Sequence, residues 1–254
     1  MRTFKITVAY DGTDFAGWQI QPRRTTVQGM LERALVKLTG ERVAVTGSGR
    51  TDSGVHALAQ VASFQTPHWR ATAADLVKAM NVNLPPTIVV LDCVDAPDSF
   101  HAIADAQGKR YRYQLQLGGI RNAFDHRFRW QVHGDTDVAA IESACEHFLG
   151  KHDFASFQAS RSPRKTTVRT IRACELIRES SSPIDGERIS IEVEADGFLY
   201  NMVRNIVGTL VEIGKGKHSP SWITEVIAMV NRDAAGPTAP PHGLFLKQVH
   251  YLPF

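Results

Sequence analysis

The chain has 254 residues, 43% of them hydrophobic and 22% charged, with a net charge of +3. That balance fits a globular protein with a core of its own and excludes collagen-like or disordered composition. No apolar run is long enough to span a bilayer, and Met1-Arg2-Thr3-Phe4-Lys5 leads straight into a strand pattern without an apolar signal segment. The three cysteines, Cys93, Cys145 and Cys174, are odd in number and far apart, which points away from a disulfide framework and towards a reducing, cytoplasmic setting.

In chain order, Thr3–Ala9 alternates and predicts a strand. Asp11 to Gln19 is a glycine-punctuated loop with two aromatics. Val27, Met30, Leu31, Ala34, Leu35 and Leu38 have helical spacing, with Thr26 placed to cap the start and Gly40 just past the end. Arg42–Thr46 predicts a short strand and Leu58–Gln65 a longer one. Thr72 to Met80 predicts a helix opened by a Thr72/Asp75 capping box and broken by Asn81–Pro86. Thr87–Val94 is an apolar, β-branched strand. This order is β-α-β-β-α-β, the ferredoxin-like unit.

A similar order follows. Strands are predicted at Lys109–Leu117, Thr166–Ile177, Arg188–Glu194 and Leu244–Tyr251. In the third of these, Ile189, Ile191 and Val193 should face inward, and Ser190, Glu192 and Glu194 outward. Asp137 opens a helix carrying Val138, Ile141, Cys145 and Phe148. Another helix runs from Tyr200 to Glu212, and Ser219-Pro220 starts one reaching Val230. Ser160–Lys165, Ser180–Gly186 and Asn231–Gly243 read as exposed loops. The expected fold class is α+β: two ferredoxin-like halves, residues 1–104 and 105–254, forming one extended, mainly antiparallel sheet with helices packed on it and a central cleft.

The most chemically loaded stretch is Gly47-Ser48-Gly49-Arg50-Thr51-Asp52-Ser53-Gly54-Val55-His56-Ala57. Its glycines permit close backbone approach, so it reads as a sharply folded loop between strands. Asp52 is either a turn residue or a catalytic carboxylate. His56 suggests a Ser/His/Asp arrangement with Ser48 or Ser53, but the strand-to-helix elbow of such nucleophiles is missing and His56 reads as structural. Arg204, among Met202, Val203, Ile206 and Val207, is either a surface arginine or a buried one that needs a carboxylate partner. Tyr111 and Tyr113 are either core or site residues. Arginine outnumbers lysine about two to one, and basic clusters lie at Lys109/Arg110/Arg112, Arg121/Arg127/Arg129 and Arg161/Arg164/Lys165/Arg169/Arg172. Arginine suits phosphate contact. Ordinary solvated faces explain the same clusters.

Gly49-Arg50-Thr51-Asp52-Ser53-Gly54-Val55-His56-Ala57 resembles the signature of the TruA-type tRNA pseudouridine synthases. So do, in order, Tyr10–Gln19, Thr26-Val27-Gln28, Asn83-Leu84-Pro85, Phe100-His101-Ala102, Arg110–Tyr113, His152-Asp153-Phe154, Thr170-Ile171, Phe198–Gly208, Thr238-Ala239-Pro240 and Gly243-Leu244. The resemblance runs from about residue 3 to residue 251. One departure is Ile103-Ala104-Asp105, where the family carries Arg-Phe-Ser.

The resemblance implies an isomerase that turns uridine into pseudouridine at positions 38 to 40 of the tRNA anticodon arm. It implies Asp52 as the nucleophile and Arg204 as its ion-pair partner. Tyr111 would stack on the target base and serve in proton removal, Arg50 would fill the gap left by the flipped base, and Leu244 would line the pocket. It further implies a homodimer acting on tRNA, with no metal, small-molecule cofactor or membrane. An RNA-binding protein of the same fold without catalysis is the alternative. A glycosidase would need a second catalytic carboxylate, and the Asp52 loop offers none.

Overall fold

The structure is a computed structural model, and it describes residues 1–159 and 166–253. In chain order the first elements are β1 (Arg2–Tyr10), α1 (Val27–Thr39), β2 (Thr46–Gly47), β3 (His56–Thr66), α2 (Ala73–Asn83) and β4 (Ile88–Ala96). Then come β5 (Gly108–Leu117), β6 (Trp130–Val132), α3 (Val138–Glu146), β7 (Gly150–Asp153), β8 (Val168–Ser182), β9 (Gly186–Ala195), α4 (Met202–Gly214), α5 (Trp222–Met229) and β10 (Leu244–His250). The fold class is α+β, as expected. Two compact units are present: Met1–Gln107 with the stretch beginning at Phe245, and Gly108–Leu244. Most of β10, expected in the second half, therefore belongs to the first unit.

In the first unit β1 lies between β4 and β3 and is antiparallel to both, while β2 pairs antiparallel with β3. That is the ferredoxin-like order. β10 joins β3 in parallel, with Phe245 opposite His56 and Leu246 opposite Ala57. Phe4, Ile6 and Val8 alternate into the core against Val27, Leu31 and Leu35 of α1 and Leu76 and Met80 of α2, all fully buried. Thr26 accepts a bond from the Gly29 N–H, and Gly40 takes the left-handed conformation that ends α1. The capping box of α2 forms between Thr72 and Asp75.

The expected strand at 42–46 shrinks to Thr46–Gly47. The reason is local: the Val45 N–H donates to Glu32 Oε1 and the Val45 carbonyl accepts from Gln28 Nε2, both at 3.0 Å. Two side chains of α1 thus take the backbone groups a strand partner would have used. α2 runs on to Asn83 rather than breaking at Asn81 and stops at Leu84, whose extended conformation is the one a residue before proline adopts.

In the second unit β9 lies between β5 and β8, and β7 pairs with β8, all antiparallel; β6 pairs with β5 in parallel. β6 and β7 are too short and too polar to alternate visibly in sequence. β8 extends to Ser182, so most of the serine run read as a loop is strand: Ser180, Ser181 and Ser182 pair with Arg188, Glu187 and Gly186. Ser190 and Glu192, expected on an open face, are both buried. α5 starts at Trp222, with Ser219 and Pro220 in the turn before it. Asn231–Gly243 is no exposed loop either: two short 3-10 turns occupy it, and Ala239 and Gly243 are buried. Ser160–Lys165, expected as an exposed loop, lies outside the described residues. Among those described, no helix is long and apolar enough to cross a membrane.

Candidate active site

Asp52 sits in the loop that links β2 to β3, and the segment from Tyr10 to Trp18 grips that loop on both sides of it. The Tyr10 hydroxyl meets Thr51 Oγ1 at 2.7 Å, and the Trp18 N–H donates to the Thr51 carbonyl at 3.0 Å. Ser53 Oγ donates to the Phe15 carbonyl at 3.1 Å. Three glycines make the approach possible. A Cβ on Gly12 would lie 1.9 Å from the Val55 carbonyl oxygen, one on Gly17 2.5 Å from that of Thr51, and one on Gly47 2.4 Å from the Trp18 ring. None of these contacts leaves room for a side chain. At the rear, Ser48 Oγ donates to Gln60 Oε1 at 2.6 Å and Gln60 Nε2 donates to the Gly49 carbonyl at 2.8 Å.

Asp52 itself opens a tight turn. The Val55 N–H donates to the Asp52 carbonyl at 3.1 Å, and Gly54 has φ +77°, the left-handed value a type II turn requires at its third residue. The turn reading of Asp52 is therefore correct for its backbone, and the residue is half-buried. Arg50 is exposed on the same loop.

His56 is fully buried and stacks on Phe245, ring centroids 4.7 Å apart. The Gly12 N–H donates to its Nδ1 at 3.0 Å. In that arrangement Nδ1 carries the lone pair and the neutral ring holds its proton on Nε2. Asp11 Oδ1 lies 3.2 Å from the same Nδ1, but that carboxylate already accepts from the Thr13 N–H and hydroxyl. The ring is thus a structural anchor between the Gly12 backbone and β10.

Tyr111 lies on β5, buried, with its ring edge-on to Phe198 at 4.9 Å. Two residues on, Tyr113 shares that strand face, and its hydroxyl donates to the Pro240 carbonyl at 2.7 Å. Burial pushes the Tyr113 phenol well above its ordinary value, partly opposed by the charge of Arg204. Arg204 is half-buried in the first turn of α4. Its Nε donates to the Ala239 carbonyl at 2.7 Å, and the Ala239 N–H returns a bond to the Arg204 carbonyl at 3.1 Å.

The segment that carries Ala239 is itself locked on α4. Thr238 Oγ1 donates to Asn205 Oδ1 at 2.6 Å and the Gly236 N–H donates to Thr209 Oγ1 at 3.0 Å. A Cβ on Gly208 would lie 1.6 Å from the Pro237 carbonyl oxygen. Tyr111 and Arg204 are thus joined within one unit through Tyr113, Pro240 and Ala239. Leu244, the last residue of that unit, is buried. Asn201 and Ala239 carry no site expectation in the sequence, and Tyr113 stands there open between core and site. Their nearness to the motifs was visible, but the bonds that join them span up to 127 positions.

The arginine clusters need correction. Arg110 and Arg112, read as candidates for phosphate contact, both grip Glu192, which is 1% exposed: Arg110 Nε lies 2.6 Å from Oε2, and Arg112 Nε and Nη2 each 2.8 Å from Oε1. Arg110 also pairs with Glu175, and Arg129 with Asp125 and Glu179. These guanidinium groups hold β5, β8 and β9 together on the sheet face opposite Tyr111. Arg161, Arg164 and Lys165 lie outside the described residues. At the departure Ile103-Ala104-Asp105 the structure forms a closed turn: Asp105 Oδ2 accepts from the His101 N–H at 2.8 Å, and the Asp105 N–H donates to the His101 carbonyl at 3.1 Å. Among the described residues no group of three or more His, Cys, Asp or Glu side chains is placed to hold a metal ion.

Comparison with known proteins bears directly on this arrangement. A family described as tRNA pseudouridine synthase matches residues 6–103 and 144–252. The chain is 44% identical to the tRNA pseudouridine synthase A of Pelobacter propionicus, covering 99% of this chain and 100% of that protein. It is 43% identical to that of Myxococcus xanthus, covering 99% and 92%, and 41% identical to that of Geotalea uraniireducens, covering 99% and 100%. The matched stretches include the Asp52 loop, its grip at Tyr10–Trp18 and the clamp on Arg204, so the chain belongs to the tRNA pseudouridine synthase family.

Proposed function

We propose that this protein isomerises uridine to pseudouridine in tRNA, at positions 38, 39 and 40 of the anticodon stem-loop. The reaction breaks the C1′–N1 bond, forms a C1′–C5 bond, takes a proton from C5 and returns one to N1, so no co-reactant enters. A uridine in a stacked stem hides its glycosidic bond and must be turned out before any group can reach it. Asp52 is the nucleophile, and Arg204 is the ion-pair partner that keeps it charged in a site closed to water. Tyr111 stacks on the turned-out base and serves in removing the C5 proton. Arg50 fills the gap in the stem, and Leu244 lines the pocket. The protein works as a homodimer in the cytoplasm.

The observation that carries this reading is the full-length similarity to tRNA pseudouridine synthases A together with the backbone grip on the Asp52 loop. A loop that merely turns the chain has no need of glycines packed tightly at its contacts, Gly47 at its own start and Gly12 and Gly17 on the segment that grips it. One that must hold a carboxylate still does.

The test is pseudouridine mapping in unmodified tRNA transcripts treated with purified protein, wild type beside Asp52→Ala. Pseudouridine at 38 to 40 with wild type, and none with a variant that still binds tRNA, is expected. Product at other positions would overturn the assignment of the anticodon arm. Binding without product in the wild type would leave an RNA-binding protein of this fold.

A further inference from the structure

We propose that Asn201 is the positioning residue that aims Arg204. The inference rests on the role given to Arg204 above. Asn201 immediately precedes α4 and sits in the left-handed region, φ +60° and ψ 9°. Among the described residues only Arg23 and Val230 share a positive φ without being glycine. An ordinary residue at this place is extended and turns its side chain back onto the first helical N–H groups. Asn201 does neither: its carbonyl accepts the Asn205 N–H at 2.9 Å as that of any N-cap would, but its backbone is left-handed, no side-chain cap forms, and its Oδ1 accepts from Arg204 Nη1 at 3.1 Å.

This geometry has a consequence for the guanidinium. Its Nε is tied to the Ala239 carbonyl at 2.7 Å and its Nη1 to Asn201 Oδ1. A planar group tied at two of its nitrogens cannot rotate in its own plane or swing about its last torsion. The left-handed backbone is what brings a side chain three residues earlier within reach of Nη1. Asparagine is among the few residues that reach this region at small cost while also carrying an acceptor. The ordering of Arg204 is then settled before substrate arrives, which is how a group of this kind lowers a barrier rather than merely binding.

Asn201→Gly tests this, because glycine keeps the left-handed backbone and removes only the acceptor. Single-turnover pseudouridine formation is expected to fall about tenfold, with the Kd for tRNA and the unfolding temperature close to wild type. In an Arg204→Lys background the same change is expected to cost nothing further, since an ammonium has no second nitrogen for Asn201 to hold. An unchanged rate in Asn201→Gly would overturn the proposal, as would an equal loss in both backgrounds. A lowered unfolding temperature with an unchanged rate would reduce Asn201 to a structural part of the helix start. Arg204→Ala is measured alongside: full activity there would overturn the reading of Arg204 itself, whereas an inactive Arg204→Ala beside an unaffected Asn201→Gly would overturn only the positioning role.

Discussion

Gly12 and Val55 meet backbone to backbone, so closely that a Cβ on Gly12 would lie 1.9 Å from the Val55 carbonyl oxygen. Gly12 also supplies the N–H that fixes His56, while the turn opened by Asp52 ends at Val55. Gly12→Ala must therefore push the Asp52 loop away from the Tyr10–Trp18 segment. Overpacking of this kind costs about 1–3 kcal/mol. Urea unfolding is expected to show that loss, and pseudouridine formation is expected to fall further than the loss of folded protein explains. A variant with wild-type stability and rate would show that the loop tolerates displacement.

His56 separates structure from chemistry in the same region. Asn at this position can still offer an oxygen to the Gly12 N–H, but it gives up the stacked contact with Phe245. His56→Asn is expected to unfold at a lower temperature and to keep most of its rate per folded molecule. A stable variant that has lost the reaction would make His56 a participant in it.

The sequence made some of this legible and hid the rest for physical reasons. α1 and α2 were readable because periodicity and caps are local: Thr26, Gly40 and the Thr72/Asp75 pair each act within a few residues. Residues 43–45 looked like a strand because their backbone partners, Glu32 and Gln28, are side chains of an earlier helix. From its glycine-rich setting Asp52 reads equally as a turn residue, and only the resemblance of residues 49–57 to the family signature points to chemistry there. What steadies Arg204 is hidden, since the Ala239 carbonyl lies 35 positions away in a stretch that composition alone presents as exposed loop. The carboxylate partners of the arginines around Tyr111 stay hidden for a related reason. Composition shows the guanidinium groups, and only strand register shows that Arg112 stands opposite Glu192.

Glu192 is the keystone of that register. Its carboxylate, 1% exposed, is shared by Arg110 and Arg112, and on β8 its partner across the strand is another carboxylate, Glu175. Glu192→Gln removes the charge that both arginines face. Breaking one side of a buried ion pair costs about 3–5 kcal/mol, and the remaining bonds from Glu175 and Glu194 to Arg110 should hold the loss near the lower end. The midpoint of denaturant unfolding reports this directly. A change below about 1 kcal/mol would class the pair with surface salt bridges.

Lys109 gives the fold a pH dependence of definite sign. Burial pulls its ammonium from an ordinary 10.5 down to about 8. Below pH 8 the side chain is charged in both folded and unfolded chains, and the full penalty of burying it is present. From about 8 to 10.5 the unfolded chain still holds the proton and the folded one has released it, so stability from this group rises with pH. Above 10.5 both are neutral and the penalty is gone. Lys109→Met, similar in length and uncharged, removes it at every pH. The variant is therefore expected to be more stable than wild type at pH 7, by at most about 3 kcal/mol, and that advantage is expected to shrink towards pH 10. Every other titrating side chain is common to the two proteins, so its contribution cancels when they are compared. Urea unfolding of both at pH 7 and pH 10 reads the difference. An advantage that does not change with pH would mean that Lys109 keeps its proton in the fold.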